Sequence, residues 1–290
     1  MALAPGKGVA PNPAPPTVCR VRVRFAKRGR LRFASHRDVA RAFERAVRRA
    51  RLPVAHSHGF NPHPRLSWVG AAPTGTASEA EYLEIGLTEP VDPAAVVLEL
   101  DAALPVGLDV VDSVIVEPGT PSLADLINAT RWQIRLPGVA PAELASSVEA
   151  LLGADSVMVM RTTKSGNKPV DVRAAVVSLV IDEPGSDDHD RVLSRLPGAT
   201  EEPCAILTTV VRQTTPAVRP DDVLGALRII ADLNPPVPPM AVRLAQGLLD
   251  DQGHLADPFD TARVTTSKRP GGPGAHNALG TGDGTTPGDG

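Results

Sequence analysis

Aromatic side chains are scarce in this chain: one Tyr, two Trp and five Phe among 290 residues. A broad recognition surface of stacked rings is therefore excluded, and the cores must be filled by Val, Leu, Ile and Ala. Cysteine is nearly absent. Cys19 and Cys204 lie far apart, which rules out a disulfide framework and suits a reducing cytoplasm. No apolar run approaches the roughly 20 residues of a membrane span. The first sixteen residues hold five prolines, one Lys and no apolar stretch, so no secretory signal is read there and a cytoplasmic protein is expected, with no membrane partner. Also missing are a Cys-x-x-x-Cys-x-x-Cys run, a Walker loop, a Gly-x-Ser-x-Gly elbow and a His-Glu-x-x-His pair. Their absence excludes the usual ligation of a radical-enzyme cluster and removes the common phosphate-loop, serine-hydrolase and zinc-protease readings. No cofactor is expected.

What is present is a folded chain, 42% hydrophobic and long enough for two ordinary domains. Its net charge of −3 conceals an asymmetry. Residues 20–65 carry fourteen Lys or Arg against Asp38 and Glu44, leaving sixteen bases and thirty-one acids elsewhere. A window of +12 beside a remainder of −15 points to a polyanionic partner or an internal electrostatic contact.

Residues 1–17 are rich in Pro, Ala and Gly and read as a disordered arm. Val21, Val23 and Phe25 then alternate with Arg20, Arg22 and Arg24, the pattern of a half-buried strand with an arginine row on its open face. Leu31–Ala34 is expected to continue it as a hairpin. Ser35 is a good N-cap for a helix to about Arg51 with Asp38 three residues on. Val39, Phe43, Ala46, Val47 and Ala50 form its apolar stripe, and Arg37, Arg41, Arg45, Arg48 and Arg49 fall on another face. Strands at 66–72 and 80–87, a helix at 92–104 and a strand at 107–116 complete a β-α-β-β-α-β order. That order predicts a ferredoxin-like split βαβ sandwich over residues 18–117. After a connector at 118–129, a second α+β unit is read over 130–240, with strands at 131–136, 156–163, 170–182 and 205–212 and helices at 141–152 and 220–233. Residues 241–290 are expected to be a poorly ordered tail. The fold class is α+β, two ferredoxin-like sandwich units with disordered termini.

Four constellations could carry chemistry. The arginine surface combines Arg20, Arg22 and Arg24 on the strand with Arg37, Arg41, Arg45, Arg48 and Arg49 on the helix. Guanidinium forks bind phosphate well, and two adjacent basic elements can track a nucleic-acid backbone. The same arginines also fit a solvated face or a dock for the acidic half. Phe60, Trp68 and Tyr82 lie nearby, too few for base-stacking strands. The second constellation is the Pro-bracketed loop with His56, His58 and His63, together with His36. No Cys lies close and no metal site is expected; the histidines suit hydrogen bonding, phosphate contact or proton transfer. The third is Glu79 and Glu81, two residues apart on one strand, which could pair with Arg65 or a helix arginine or act as acid or base with His63. The fourth is Lys164, Lys168 and Arg173, an anion-binding loop with Asp171 orienting Arg173, or a plain polar hairpin.

The runs Leu31-Arg32-Phe33-Ala34-Ser35-His36-Arg37-Asp38, Phe43-Glu44-Arg45-Ala46-Val47-Arg48-Arg49-Ala50 and Gly59-Phe60-Asn61-Pro62-His63-Pro64 resemble the radical-S-adenosylmethionine-linked protein family, as do Gly75, Ser78 and Glu81. Lys164-Ser165-Gly166 and Asp171-Val172-Arg173 resemble its second motif. The resemblance covers about residues 18–220. It implies a domain of unknown function in its stand-alone form, working beside a radical-S-adenosylmethionine enzyme. It also implies a ribonuclease of the E/G type as a functional neighbour. It assigns no catalytic residues.

The reading that combines these features is a non-catalytic accessory protein that binds RNA, or an RNA-associated partner, through its basic N-terminal domain. The rivals are an enzyme or substrate-binding subunit with His36, His58, His63 and Glu81 at its site, and a protein-interaction adaptor. Convergence of His36, His63, Arg65 and Glu81 in one pocket would favour the enzyme.

Overall fold

The computed structural model describes residues 15–58, 60–117, 119–163, 166–182, 203–260 and 262–263. The readings made for residues 1–14, for Lys164 and for 264–290 lie outside the described residues.

The alternating segment forms strand β1 (Cys19–Lys27), with Val21, Val23 and Phe25 in the core. Ser35 caps helix α1 (His36–Arg49): its hydroxyl accepts from Asp38 N, and the Asp38 carboxylate accepts from Ser35 N, a reciprocal capping box. Val39, Ala42, Phe43, Ala46 and Val47 are buried along that helix. Strands β2 (Leu66–Val69) and β3 (Ala77–Leu87), helix α2 (Pro93–Ala103) and strand β4 (Leu108–Val116) follow. β1 is antiparallel to both β3 and β4, and β2 is antiparallel to β3. The order β4-β1-β3-β2, with both helices on one face, is the split βαβ sandwich.

One expected element is absent. Gly29–Phe33 is a short 3-10 helix, not the return strand of a hairpin. Both edges of β1 are taken by β3 and β4, so no edge remains for Leu31–Ala34 to join.

The second unit repeats the order with an insertion. It contains β5 (Ala129–Pro137), α3 (Pro141–Gly153), the two-stranded pair β6 (Met158–Thr163) and β7 (Gly166–Asp171), α4 (Val172–Ala175), β8 (Val176–Ile181), β9 (Cys204–Arg212), α5 (Pro220–Ala231) and β10 (Met240–Leu249). The strand expected over 170–182 is thus broken by α4. The sheet order is β10-β5-β9-β8, again the fourth, first, third and second strands of a split βαβ unit, all antiparallel.

β10 corrects the reading of 241–290 as a tail. It is the second unit's missing strand, and it also runs parallel to the start of β3 through Val242↔Ala77 and Arg243↔Ser78. The two units therefore share one sheet, nine-stranded among the described residues when β11 (Leu255–Ala256) on β10 is included. Beyond β11 the chain crosses the open face of the first unit, where Phe259 and Ala262 join Leu123 and Ile127 against Ala80, Tyr82, Val114 and Val116.

Candidate functional site

The arginine row of β1 is not an open face. Arg22 is fully buried; its Nε donates to Glu84 Oε2 at 3.1 Å, and its Nη2 donates to the carbonyl of Pro121. Arg20 donates to the other Glu84 oxygen at 2.7 Å and to the Thr120 carbonyl at 2.9 Å. Arg24 reaches Asp257 at 3.0 Å and Asp112 at 3.7 Å. The connector and the C-terminal segment cover this side, and a carboxylate beside a covered guanidinium offsets the cost of burying it. The strand alternation placed these side chains on one face; it carried no information about what lies over that face.

The helix arginines are different. Arg37, Arg41, Arg45, Arg48 and Arg49 are exposed. Among the described residues no carboxylate pairs with any of them; Arg49 makes one 3.4 Å bond to the Ala103 carbonyl. Arg37, Arg41, Arg45 and Arg48 succeed one another at spacings of four, four and three, so they form a stripe over roughly 16 Å of helix. The capping box pulls Asp38 below its ordinary value, mainly through the Ser35 hydroxyl. That carboxylate serves the helix end.

The histidines and acids do not form one site. His36 is exposed at the start of α1, its ring edge-on to Trp68 at 5.4 Å. It shares with Lys27, Trp68 and Glu81 a small cavity with room for about one water. His63 and His58 are exposed in the loop closed by the His56↔Pro64 bridge and do not line that cavity. Arg65 lies with Arg20, Ser67 and Glu84 in a separate depression on the opposite side of the sheet, since Leu66 and Trp68 pack on the helix side. The convergence of His36, His63, Arg65 and Glu81 that would favour an enzyme is therefore not found: only His36 and Glu81 share a cavity. Nor does either acid meet Arg65 or a helix arginine. Glu79 is paired with Arg28, and Glu81 with Arg243.

Beneath that cavity lies a cluster the sequence reading missed. Lys27, Glu81 and Arg243 are each 4% exposed. Arg243 donates to Glu81 Oε1 at 2.8 Å and to the Gly70 carbonyl, and its guanidinium lies 4.6 Å from the Trp132 ring centre. The other Glu81 oxygen accepts from Ala72 N at 2.9 Å. The cluster ties β3, β10 and the 70–75 segment together at the seam between units. No local spacing signals it, because Glu81 and Arg243 are 162 residues apart.

In the second unit Lys168 is exposed on β7. Asp171 does not hold the Arg173 guanidinium. Its carboxylate accepts from Ser156 Oγ, Val157 N and Ala174 N, while Arg173 turns to the carbonyls of Leu152 and Val176. Among the described residues no group of three or more His, Cys, Asp or Glu could hold a metal ion, and no helix is long and apolar enough to cross a membrane.

Fold and site together define a tandem split βαβ protein with an uncompensated basic helix on its first unit. The chain belongs to the bacterial family described as "uncharacterized protein conserved in bacteria (DUF2344)", whose model matches residues 20–220. No curated protein matches the chain.

Proposed function

We propose that this protein is a non-catalytic accessory factor that binds single-stranded RNA through the exposed face of α1. One observation carries the reading: five arginines on one helix are exposed and form no ion pair among the described residues, with the Asp38 carboxylate only near Arg41 and Arg37, whereas those of β1 are neutralised internally. An uncompensated arginine stripe attracts a phosphate backbone, and binding releases the condensed counterions of the strand. Tyr82 is buried and Trp68 partly buried in the packing of the first unit, which fits contact with the backbone more than base-by-base reading. A cytoplasmic location, with a ribonuclease of the E/G type as neighbour, belongs to the same proposal.

A salt titration against a labelled single strand tests it. Four or five phosphate contacts give a slope of log affinity on log salt of about −3, from roughly −0.7 per contact. The double variant Arg41→Glu, Arg45→Glu lowers both affinity and slope. No binding at ~50 mM salt removes the proposal; binding unchanged in the double variant removes α1 as the site.

A second reading, a substrate-binding subunit for a radical-S-adenosylmethionine enzyme, draws on the family resemblance and on His36 and Glu81 meeting at one cavity. It requires a stable complex on co-expression with such an enzyme, weakened by His36→Ala.

A further inference from the structure

The two units meet at a cleft of about 550 Å³, within the usual range for small-ligand sites, which favour such junctions. Arg32 and Phe33 form its first-unit wall; Leu224, Pro239 and Met240 line the second, and the Asp221 carboxylate is exposed beside them. Phe33 is 58% exposed, although the chain has few aromatic rings to leave in water. Its position is nevertheless fixed. Gly75 N donates to the Arg32 carbonyl at 2.8 Å, which anchors the backbone beside it, and one edge of the ring borders Gly75, where a Cβ would stand at an ordinary 3.9 Å from Cδ1 and Cε1. The Arg32 guanidinium lies 4.3 Å over the ring centre and is held by a 3.0 Å bond to the Gly29 carbonyl. The result is a guanidinium seated over an exposed ring at the wall of a cleft.

We infer that this cleft receives one unstacked base of the RNA that α1 holds, with the Arg32–Phe33 pair as its stacking platform. The inference rests on the reading of α1 as an RNA-binding face and adds where a base goes. Position and charge select this occupant. Phe33 precedes the Ser35 cap of α1, so the platform sits at the end of the arginine stripe nearest Arg37, with exposed Arg30 beside it. In this proposal a strand whose phosphates follow Arg48, Arg45, Arg41 and Arg37 continues past the helix start towards the cleft. Bases stack on aromatic and guanidinium planes alike. The Asp221 carboxylate can only accept hydrogen bonds while ionised, so it favours a base with an exocyclic amino group. Adenine, cytosine and guanine carry one; uracil does not.

The test uses the full chain, labelled oligo(A) and oligo(U), and an oligo(A) bearing 2-aminopurine, whose fluorescence falls on stacking. Wild-type protein is expected to bind oligo(A) more tightly than oligo(U) and to quench the probe. Phe33→Ala should lower affinity for oligo(A) about tenfold, within the range for one lost base stack, leave the salt slope unchanged and abolish quenching. Phe33→Trp should restore both affinity and quenching; since the ring is exposed, neither change threatens the fold, and circular dichroism verifies this. Phe33→Ala that binds and quenches like wild type overturns the cleft while leaving the α1 reading intact, provided the Arg41→Glu, Arg45→Glu variant still loses affinity. Wild-type protein that binds neither strand at ~50 mM salt overturns both.

Discussion

Lys27 is an ammonium-bearing side chain held almost out of water at the end of β1. Among the described residues its ammonium makes two long hydrogen bonds, 3.4 Å to the Ala34 carbonyl and 3.5 Å to that of Pro73. Burial pushes its pKa below the ordinary 10.5, opposed by the Glu81 carboxylate and reinforced by Arg243. Because the unfolded chain binds this proton more tightly than the folded one, the protonated side chain costs stability at neutral pH. That cost fades as pH rises from the lowered value towards 10.5. Tyr82, also buried, has its pKa raised, so it contributes in the opposite sense: stability is kept below pH 10 and lost above it. Comparing variants separates the two. Lys27→Met should be more stable than wild type at pH 7, with the advantage shrinking towards pH 10; urea denaturation across that range measures it. An advantage constant with pH would refute the burial argument. Such residues mark where sequence reading stops. A lysine closing an alternating run looks like a solvated strand end, and only the 70–75 segment folding over it makes it a buried cation.

Among the elements, β10 was the least legible. Strand period two is visible in β1, but β10 carries a register shift between Arg243 and Ala245 where it pairs with β5. A bulge of that kind interrupts the alternation a reader looks for. Its burial does not alternate either: the adjacent residues Val242 and Arg243 are both buried, as are Gln246 and Gly247. By contrast α1 was legible at once, because its cap, apolar stripe and basic face are all local. β10 also holds β11 by close approach. A Cβ on Gly247 would stand 1.9 Å from the Ala256 carbonyl oxygen. Gly247→Val should therefore break the β10–β11 pair and loosen the segment carrying Phe259 from the sheet. Limited proteolysis is expected to cut the variant within 250–263 under conditions that leave wild type whole. Equal resistance of the two proteins would mean that Phe259 and the Arg24–Asp257 pair hold the segment without β11.

At the scale of the molecule, the joint between units is narrow in backbone terms, two residue pairs of parallel ladder. The buried Arg243–Glu81 pair and the 2.6 Å bond from Gln246 Nε2 to the Ala80 carbonyl reinforce it. Arg243→Ala leaves Glu81 buried without its cation, a loss of about 3–5 kcal/mol for a pair of this kind. Since the pair spans the seam, the variant should also unfold in two steps, with the second unit's Trp132 and the first unit's Trp68 reporting separate transitions. A single coincident transition would show that the ladder, the Gln246 bond and the segment carrying Phe259 couple the units without this pair.

What the sequence determined by itself was local and periodic: the α+β class, the capped basic helix, the first unit's element order, and the scarcity of aromatic rings. What only the tertiary structure decided was which charges remain free. Two sets of arginines of identical chemistry lie within thirty residues of each other. Those on β1 meet Glu84, Asp112 and Asp257, residues 60 or more positions away that chain reversal brings over the sheet. Those on α1 meet water. Side-chain periodicity fixes the face a residue occupies, but the cost of burying an unpaired charge is settled only when distant segments close over that face.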